Sequence, residues 1–368
     1  MKNKVNESWK EVKGLYSNMM KSFTAANDAW DKNIVLFGAG VQGRLAMHYL
    51  KGHGAKILCF TDNNLCKHDT FIDDIPVVSP QDNAVISAPV VLVTARHAVQ
   101  SLCQQLTDMG VLNLSFDAYF VAKNFDRIAH IRNNFLQDER SRISYDGILK
   151  TILSGDNSYC ASVMEGNQYF AIPEFVNFGK DYFVDAGAYV GDTIERFIWI
   201  TSGVFVRIYA FEPGRQQMAA MKRRIGRLCK EWAIEESAII CEKAGLADTN
   251  ETFKISVPDV LANMSVNLNG YGDGNQEEII RCYSLDSYLA GNPVTFIKAD
   301  IEGMELAMLH GCQDTVRKYK PKMALSIYHN PTHLFEIAEY VKWLLPEYNM
   351  AIRHHASIFA ESILYCWV

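Results

Sequence analysis

Two stretches of this chain share one plan. NIVLFGAGVQGRLAMHYL (Asn33–Leu50) and FVDAGAYVGDTIERF (Phe183–Phe197) each run an apolar strand into a glycine turn and out into a helix. A turn of that kind joins a strand end to a helix start within a few residues, which dictates a βα unit of a parallel sheet. The two stretches lie about 150 residues apart in a chain of 368, so the sequence predicts two α/β domains. With 49% hydrophobic and 21% charged residues the chain can bury two cores.

Alternation of strand and helix supports the division. After NIVLF come strands KILCFTD, PVVLVTA and LNLSF, with helical patterns at VQGRLAMHYLKG and HAVQSLCQQLTDMG. From about residue 180 the rhythm restarts with DYFVDA, VRIYAFE, AIICEKA, TFKISV, VTFIKAD and KMALSIYH. The chain closes on two β runs, YNMAIRHH and SILYCWV, separated by ASIFAE, which read as a hairpin. Val5, Trp9, Val12, Tyr16, Met19 and Phe23 recur at helical spacing, so the chain opens on an amphipathic helix that packs on a neighbouring domain or a second subunit. The expected organisation is an N-terminal helix (1–30), an accessory Rossmann-like domain (31–122), a helical connector (123–180) and a catalytic domain (181–368). NLNGYGDGNQEE, 267–278, is rich in glycine and polar residues and reads as a loop.

The acids separate the two turns. Gly38, Gly40 and Gly43 form GxGxxG, and Asp62 ends the next strand 19 residues after Gly43. That is the context of a dinucleotide fingerprint, in which bare N–H groups hold a pyrophosphate and the acid holds a ribose. The alternative is that the glycines only let helix and strand pack closely. In the second turn Asp185 precedes Gly187, Gly191 is followed by Asp192, and Glu212 ends the next strand. Carboxylates at a helix start repel a pyrophosphate. They suit a ligand carrying an ammonium, a sulfonium and a ribose diol, the three groups of S-adenosylmethionine. Asp192 also reads as an N-cap, with Glu195 completing a capping box.

A formal net charge of −6 argues against nucleic acid or an anionic membrane surface as the main partner. No run approaches the roughly 18 apolar residues of a membrane span. The opening MKNKVNESWKEVKG lacks the apolar core of a signal peptide. Nine cysteines, an odd number without a CxxC pair, read as buried free thiols of a reducing cytoplasm.

The segment from about Gln168 to His355 resembles the FkbM-type S-adenosylmethionine-dependent methyltransferases. The likeness rests on QYF (168–170), FVDAGAYVGDT (183–193), YAFEP (209–213), SLDSYL (284–289), FIKADIEGMELAMLHG (296–311) and Pro321 with MALSIYH (323–329). It implies a class I methyltransferase sheet whose last strand is antiparallel. It places Asp185 near the donor's amino-acid moiety and gives Glu212 the ribose hydroxyls. The motifs carry Ala188, Tyr189, Thr193 and Pro213 into the cofactor set beside Gly187, Gly191 and Asp192. Ala244 and Gly245 are the expected adenine neighbours, and Gln168 and Tyr169 a cover over the donor. The first domain resembles the Rossmann-like domain of amino-sugar O-acyltransferases through VLFGAGVQGR, TDNN and DDIPVVSP. That resemblance implies a nucleotide-sugar or related ligand at Gly38, Gly40, Gly43 and Asp62.

Period two puts Lys298 and Asp300 on one face of their strand near its carboxyl end, with Glu302 in the loop beyond. Such charges are costly to bury unless paired, which marks the strand as functional or as a local ion pair. His329 is expected at the end of the next strand, where an ordinary histidine pKa suits a general base. His354 and His355 end a later strand, as pocket lining or as a solvated pair. Asp300, Glu302 and His329 form a mixed oxygen and nitrogen set, but their spacing is not diagnostic and no metal is assigned. The expected activity is methyl transfer, most readily to a hydroxyl of a sugar or other small acceptor, by a cytoplasmic protein for which a homodimer is the candidate assembly. Two rivals act through the first turn: a nicotinamide-dependent oxidoreductase and a nucleotide-sugar binding protein. No Cys/His set near that turn offers the oxidoreductase a hydride-transfer partner.

Overall fold

The computed structural model describes residues 2–24, 33–176, 179–257 and 276–368. The chain divides into two units. The first comprises Met1–Arg132, Arg142–Met164 and Ala356–Ala360; the second comprises Asn133–Ser141, Glu165–His355 and Glu361–Val368. The stretch 123–180 is thus shared between them.

In the first unit six strands form one sheet: β1 (Asn33–Phe37), β2 (Lys56–Thr61), β3 (Thr70–Ile72), β4 (Ile75–Val78), β5 (Val90–Val93) and β6 (Asn113–Ser115). Their order is β3-β4-β2-β1-β5-β6, parallel except for the β3–β4 pair. The central strands NIVLF and VVLV are apolar throughout because helices cover both faces of a parallel sheet. The opening helix Lys2–Thr24 packs within this unit: Val5 and Val12 are buried, and Trp9 and Tyr16 stack on Phe125 at 5.6 and 3.8 Å. Arg132 fixes that contact. Its guanidinium forks onto Asp146 at 2.6 and 2.7 Å, donates to the Val5 carbonyl at 3.1 Å and lies 4.6 Å from the Trp9 ring.

The second unit holds a seven-stranded sheet and a smaller one. The strands are β7 (Tyr182–Ala186), β8 (Arg207–Phe211), β9 (Ile239–Glu242), β10 (Gly245–Leu246), β11 (Glu251–Val257), β12 (Gln276–Tyr283), β13 (Phe296–Ala299), β14 (Lys322–Ser326), β15 (Asn349–His354) and β16 (Ser362–Trp367). The main sheet runs β15-β16-β14-β13-β7-β8-β9, and β10-β12-β11 form the small one. β16 enters antiparallel between β14 and β15, as expected of this sheet. Strand order reverses at β7, whose neighbours are β8 and β13, so the carboxyl ends of these strands open a crevice. An aromatic core of Phe183, Phe197, Phe296 and Phe175 supports β7 and β13, with ring centroids 4.5–6.4 Å apart in the contacting pairs. Most of the loop expected at 267–278 lies outside the described residues. Among the described residues no helix is long and apolar enough to cross a membrane.

Candidate active site

The β7 turn is built by close backbone approach. Gly187 has φ +76°, and a Cβ there would stand 1.9 Å from the Asp300 carbonyl oxygen, so glycine alone lets the β7 and β13 loops meet. The N–H groups of Gly187 and Ala188 donate to the Phe211 carbonyl at 3.0 and 2.9 Å. Below the turn Lys298 pairs with Asp185 at 3.0 Å, both side chains being buried, and donates to the Gly187 carbonyl at 2.6 Å. Burial pushes the Asp185 carboxyl up against the pull of Lys298. Burial also opposes the Lys298 charge, yet Asp185 and Asp300 hold that ammonium above its ordinary value. Lys298 therefore works on the turn itself.

Above the turn lies a cavity of about 330 Å³. Of the residues singled out for the cofactor, Gln168, Tyr169, Gly187, Tyr189, Asp192, Thr193, Glu212, Pro213, Ala244 and Gly245 line it. Asp185, Ala188 and Gly191 stand behind it: Asp185 on Lys298, Ala188 buried on Phe211, and Gly191 as the left-handed residue (φ +79°) before the helix Asp192–Ile200. The capping box expected at Asp192 and Glu195 does not form. Gly191 is the N-cap, Asp192 is already helical and exposed, and Glu195 instead pairs with Arg227 at 2.6 Å.

Glu212 ends β8 and is 5% exposed. Tyr189 N–H donates to one of its oxygens at 2.9 Å and Gly214 N–H to the other at 2.7 Å. Burial outweighs these two donors and pushes the carboxyl up to about 7. Each oxygen keeps a free lone pair, the requirement for holding a diol.

At the opposite end the cavity is lined by Asp300, Ile301, Glu302, Tyr328 and Glu361, with Lys298 beneath. Asp300 accepts from Tyr169 OH at 2.6 Å and from Tyr328 OH at 3.1 Å. Tyr328 OH also lies 3.2 Å from Glu361, whose carboxylate accepts from Gln168. Burial and then Asp300 push the Glu361 carboxyl up. Tyr169, Tyr189, Glu302 and Glu361 all adopt positive φ, at +65°, +47°, +55° and +51°. Strained non-glycine backbone gathered around one cavity is characteristic of a binding site.

His329 sits three residues beyond β14, not at the strand end, and its side chain is 10% exposed. Its Nδ1 is 2.8 Å from Glu305, and its Nε2 is 3.4 Å from Asp300 and 3.8 Å from Glu302. Burial disfavours its charge, but Glu305, Asp300 and Glu302 prevail and push the imidazole up to about 9. The ordinary pKa expected of a general base is thereby corrected: at neutral pH this histidine is protonated. His354 is buried on Ser362, and His355 is half-buried, bonded to the Glu165 carbonyl and Tyr365; neither lines the cavity, and the two do not form a solvated pair.

Three contributors escaped sequence reasoning. Glu305 is the first residue of the next helix, Glu305–His310, and Tyr328 hid in an apolar run. Glu361 was legible in principle: β16 is antiparallel, so the residue before it returns to the edge where the parallel strands end.

Residues 185–355 match the family model of the methyltransferase FkbM domain. Over that stretch the chain is similar to the FkbM methyltransferase domain. The crystal structure of methyltransferase FkbM from Methylobacillus flagellatus KT is similar over 96% of this chain and 100% of that one, at 19% identity and a TM-score of 0.58. That likeness shows a shared fold. Fibrillarin from Aeropyrum pernix with natively bound S-adenosyl-L-methionine is similar over 51% of this chain and 66% of its own, at 10% identity and TM-score 0.31. UDP-D-quinovosamine 4-dehydrogenase from Vibrio fischeri matches 23% of this chain and 76% of its own, at 20% identity and TM-score 0.19. No curated protein is significantly similar in sequence.

The first unit's turn has its own geometry. A Cβ on Gly43 would stand 1.9 Å from the Gly38 carbonyl, so Gly43 serves close packing. Gly40 has open space where a Cβ would point. Asp62 accepts from Ala39 N–H and Asn64 N–H, each at 2.9 Å, and from Lys67 at 2.8 Å.

Proposed function

We propose that this protein transfers the methyl group of S-adenosylmethionine to a hydroxyl oxygen of a sugar or other small hydroxylated acceptor. The observation that carries the reading is Glu212, a buried carboxylate fixed by two backbone N–H groups at the edge of a cavity whose far end gathers Asp300, Glu302 and Glu361. The residues fit the cofactor by their chemistry. In this reading Glu212 accepts from both ribose hydroxyls, Ala244–Leu246 pack on adenine and the Gly187 turn admits the amino-acid end, which is supported by their lining one cavity. Bound S-adenosylmethionine supplies an electrophilic methyl on a positive sulfur, a charge that this acidic cavity favours.

The chain's part in catalysis is placement and proton handling. Asp300, Glu302 and His329 take the acceptor end, where a hydroxyl held in line loses its proton to a carboxylate. Lys298 acts through Asp185 and the turn as a positioning residue. Gln168 and Tyr169 close over the cofactor, tied to Glu361 and Asp300. The residues proposed for the cofactor are those lining the cavity, supported from below by Asp185, Ala188 and Gly191.

The first unit is proposed as an accessory module for a nucleotide-sugar. The rival reading, a nicotinamide oxidoreductase acting through the first turn, is weakened because no Cys/His set near that turn offers a hydride-transfer partner. A methyl-labelled donor with a panel of UDP-sugars, free sugars and amines tests the whole. Label in an alkali-stable ether on a sugar is expected. Label only on amines, or calorimetric affinity for S-adenosylmethionine unchanged by Glu212→Ala, would refute it.

A further inference from the structure

We propose that Glu361 is the catalytic base of the cavity: it shares one proton with Asp300 through the Tyr328 hydroxyl, gives that proton up beside the positive sulfur of the donor, and then takes the hydroxyl proton of the acceptor. This role rests on the methyl-transfer reading.

Tyr328 OH stands between two carboxylates, 3.1 Å from Asp300 Oδ1 and 3.2 Å from Glu361 Oε1. A phenol has one hydrogen and can donate it to only one of them. The other carboxylate then faces the phenol oxygen, and the contact is favourable only when that carboxylate carries a hydrogen itself. Asp300 is the better supplied of the two, since its Oδ2 accepts from Tyr169 OH at 2.6 Å. The proton therefore falls to Glu361, in a chain running from Glu361 through Tyr328 to Asp300. Two carboxylates this close share a proton because ionising both is costly. Burial and then Asp300 push the Glu361 carboxyl up, against Gln168, Tyr328 and His329.

The other charged groups described at this end are poorly suited to the task. His329 is pushed up to about 9 and is already protonated at neutral pH. Lys298 is held by Asp185 and the Gly187 carbonyl. The Glu302 side chain is 36% exposed and open to water. Glu361, by contrast, is fixed in place. Gln168 donates to its second oxygen, and its own carbonyl accepts from His355 N–H at 3.0 Å. Its backbone is held at φ +51° immediately before β16, a strain of the kind kept where a side chain must be aimed.

Beside a positive sulfur both carboxylates favour their ionised forms, so Glu361 loses the shared proton as the donor binds. It is then an open base when the acceptor hydroxyl lies in line. As the acceptor oxygen bonds the methyl carbon, the C–S bond breaks with its electron pair staying on sulfur, and the hydroxyl proton moves to Glu361. The positive sulfur and the carboxylate are neutralised together, leaving an ether, a thioether and a carboxylic acid.

The test titrates the full chain with S-adenosylmethionine and, separately, with S-adenosylhomocysteine, by calorimetry in buffers of different ionisation enthalpy. At about pH 5–6.5 the amino groups of both probes carry their protons. The probes differ by the methyl and its charge, so protons moved at Glu212 cancel in the comparison. S-adenosylmethionine is expected to release more protons than S-adenosylhomocysteine, by up to about one per site. Glu361→Gln should remove the difference while both probes still bind. Infrared difference spectra of the unsubstituted chain should show a carboxylic-acid band lost with S-adenosylmethionine and kept with S-adenosylhomocysteine, whatever the folding of the variant. Equal proton release by the two probes, an acid band indifferent to the donor, or a difference that survives in Glu361→Gln overturns the proposal and leaves the methyl-transfer reading in place. Absence of binding by either probe overturns both.

Discussion

Glu212 makes a quantitative prediction because its two states differ in what they can hold. The carboxyl is pushed up to about 7 by burial, against the two N–H donors of Gly214 and Tyr189. An ionised carboxylate accepts from both ribose hydroxyls, whereas the protonated acid must hold its own hydrogen against one of them. If only the ionised form binds well, the competent fraction is about one tenth at pH 6 and about nine tenths at pH 8. Affinity should therefore rise about tenfold across that interval. The probe should not titrate there itself, so 5′-methylthioadenosine serves better than the full donor, whose amino group does. Isothermal titration at pH 5.5–8.5 should give the rise for the wild type and a flat, weaker profile for Glu212→Gln. The same shift acts on folding. The folded pKa lies above the unfolded value of 4.5, so the group imposes no penalty below about pH 4.5 and the full penalty above about 7. The stability of Glu212→Gln relative to wild type should improve by about 3 kcal/mol as pH rises through that window. A flat wild-type profile, or an equal slope in Glu212→Gln, would refute the argument.

Three further outcomes follow from packing and pairing. Gly187→Ala drives a Cβ against the Asp300 carbonyl at 1.9 Å and at positive φ, so a loss of about 3 kcal/mol in chemical denaturation is expected, with donor binding lost. Glu305→Ala leaves Ile301 N–H and two buried imidazoles without their shared partner; about 3–5 kcal/mol should be lost, measured the same way at pH 7. Asp146→Asn strands the buried Arg132 guanidinium beneath the opening helix, and a loss of similar size should appear with increased proteolysis near Trp9.

What was legible in the sequence was what backbone physics forces. Continuous apolar runs gave the parallel strands, and the hairpin spacing of the last two gave the antiparallel return of β16. Glycines with positive φ or close backbone neighbours marked the turns. Side-chain partnership was less legible, because a strand pattern names a face without naming what reaches it. Lys298 has the right face for chemistry, yet its ammonium turns to Asp185 and the Gly187 carbonyl. Asp192 has the right residue type for a cap, yet the left-handed Gly191 begins the helix one residue earlier. Glu305 was invisible for a different reason: its importance arises from two histidines that follow it by 24 and 28 positions and meet it only in three dimensions.

The two glycine turns end in opposite electrostatics on the same topology. In each unit an acid closes the strand next to the turn, Asp62 on β2 and Glu212 on β8. Burial opposes both charges. At Asp62 the ammonium of Lys67 and the N–H groups of Asn64 and Ala39 more than compensate, and the carboxyl is held below its ordinary range. At Glu212 two N–H donors do not compensate, and the carboxyl is pushed up to about 7. Asp62 is thus a clasp whose oxygens are already engaged. Glu212 remains short of donors, and two hydroxyls arriving from outside relieve that deficit. A fold can thus repeat its backbone device within one chain and leave the acid at its end satisfied in one copy and short of donors in the other. Lys67→Met should then free Asp62, raise its carboxyl toward the ordinary range, and let calorimetry show whether the first turn holds a ribose once its clasp is open.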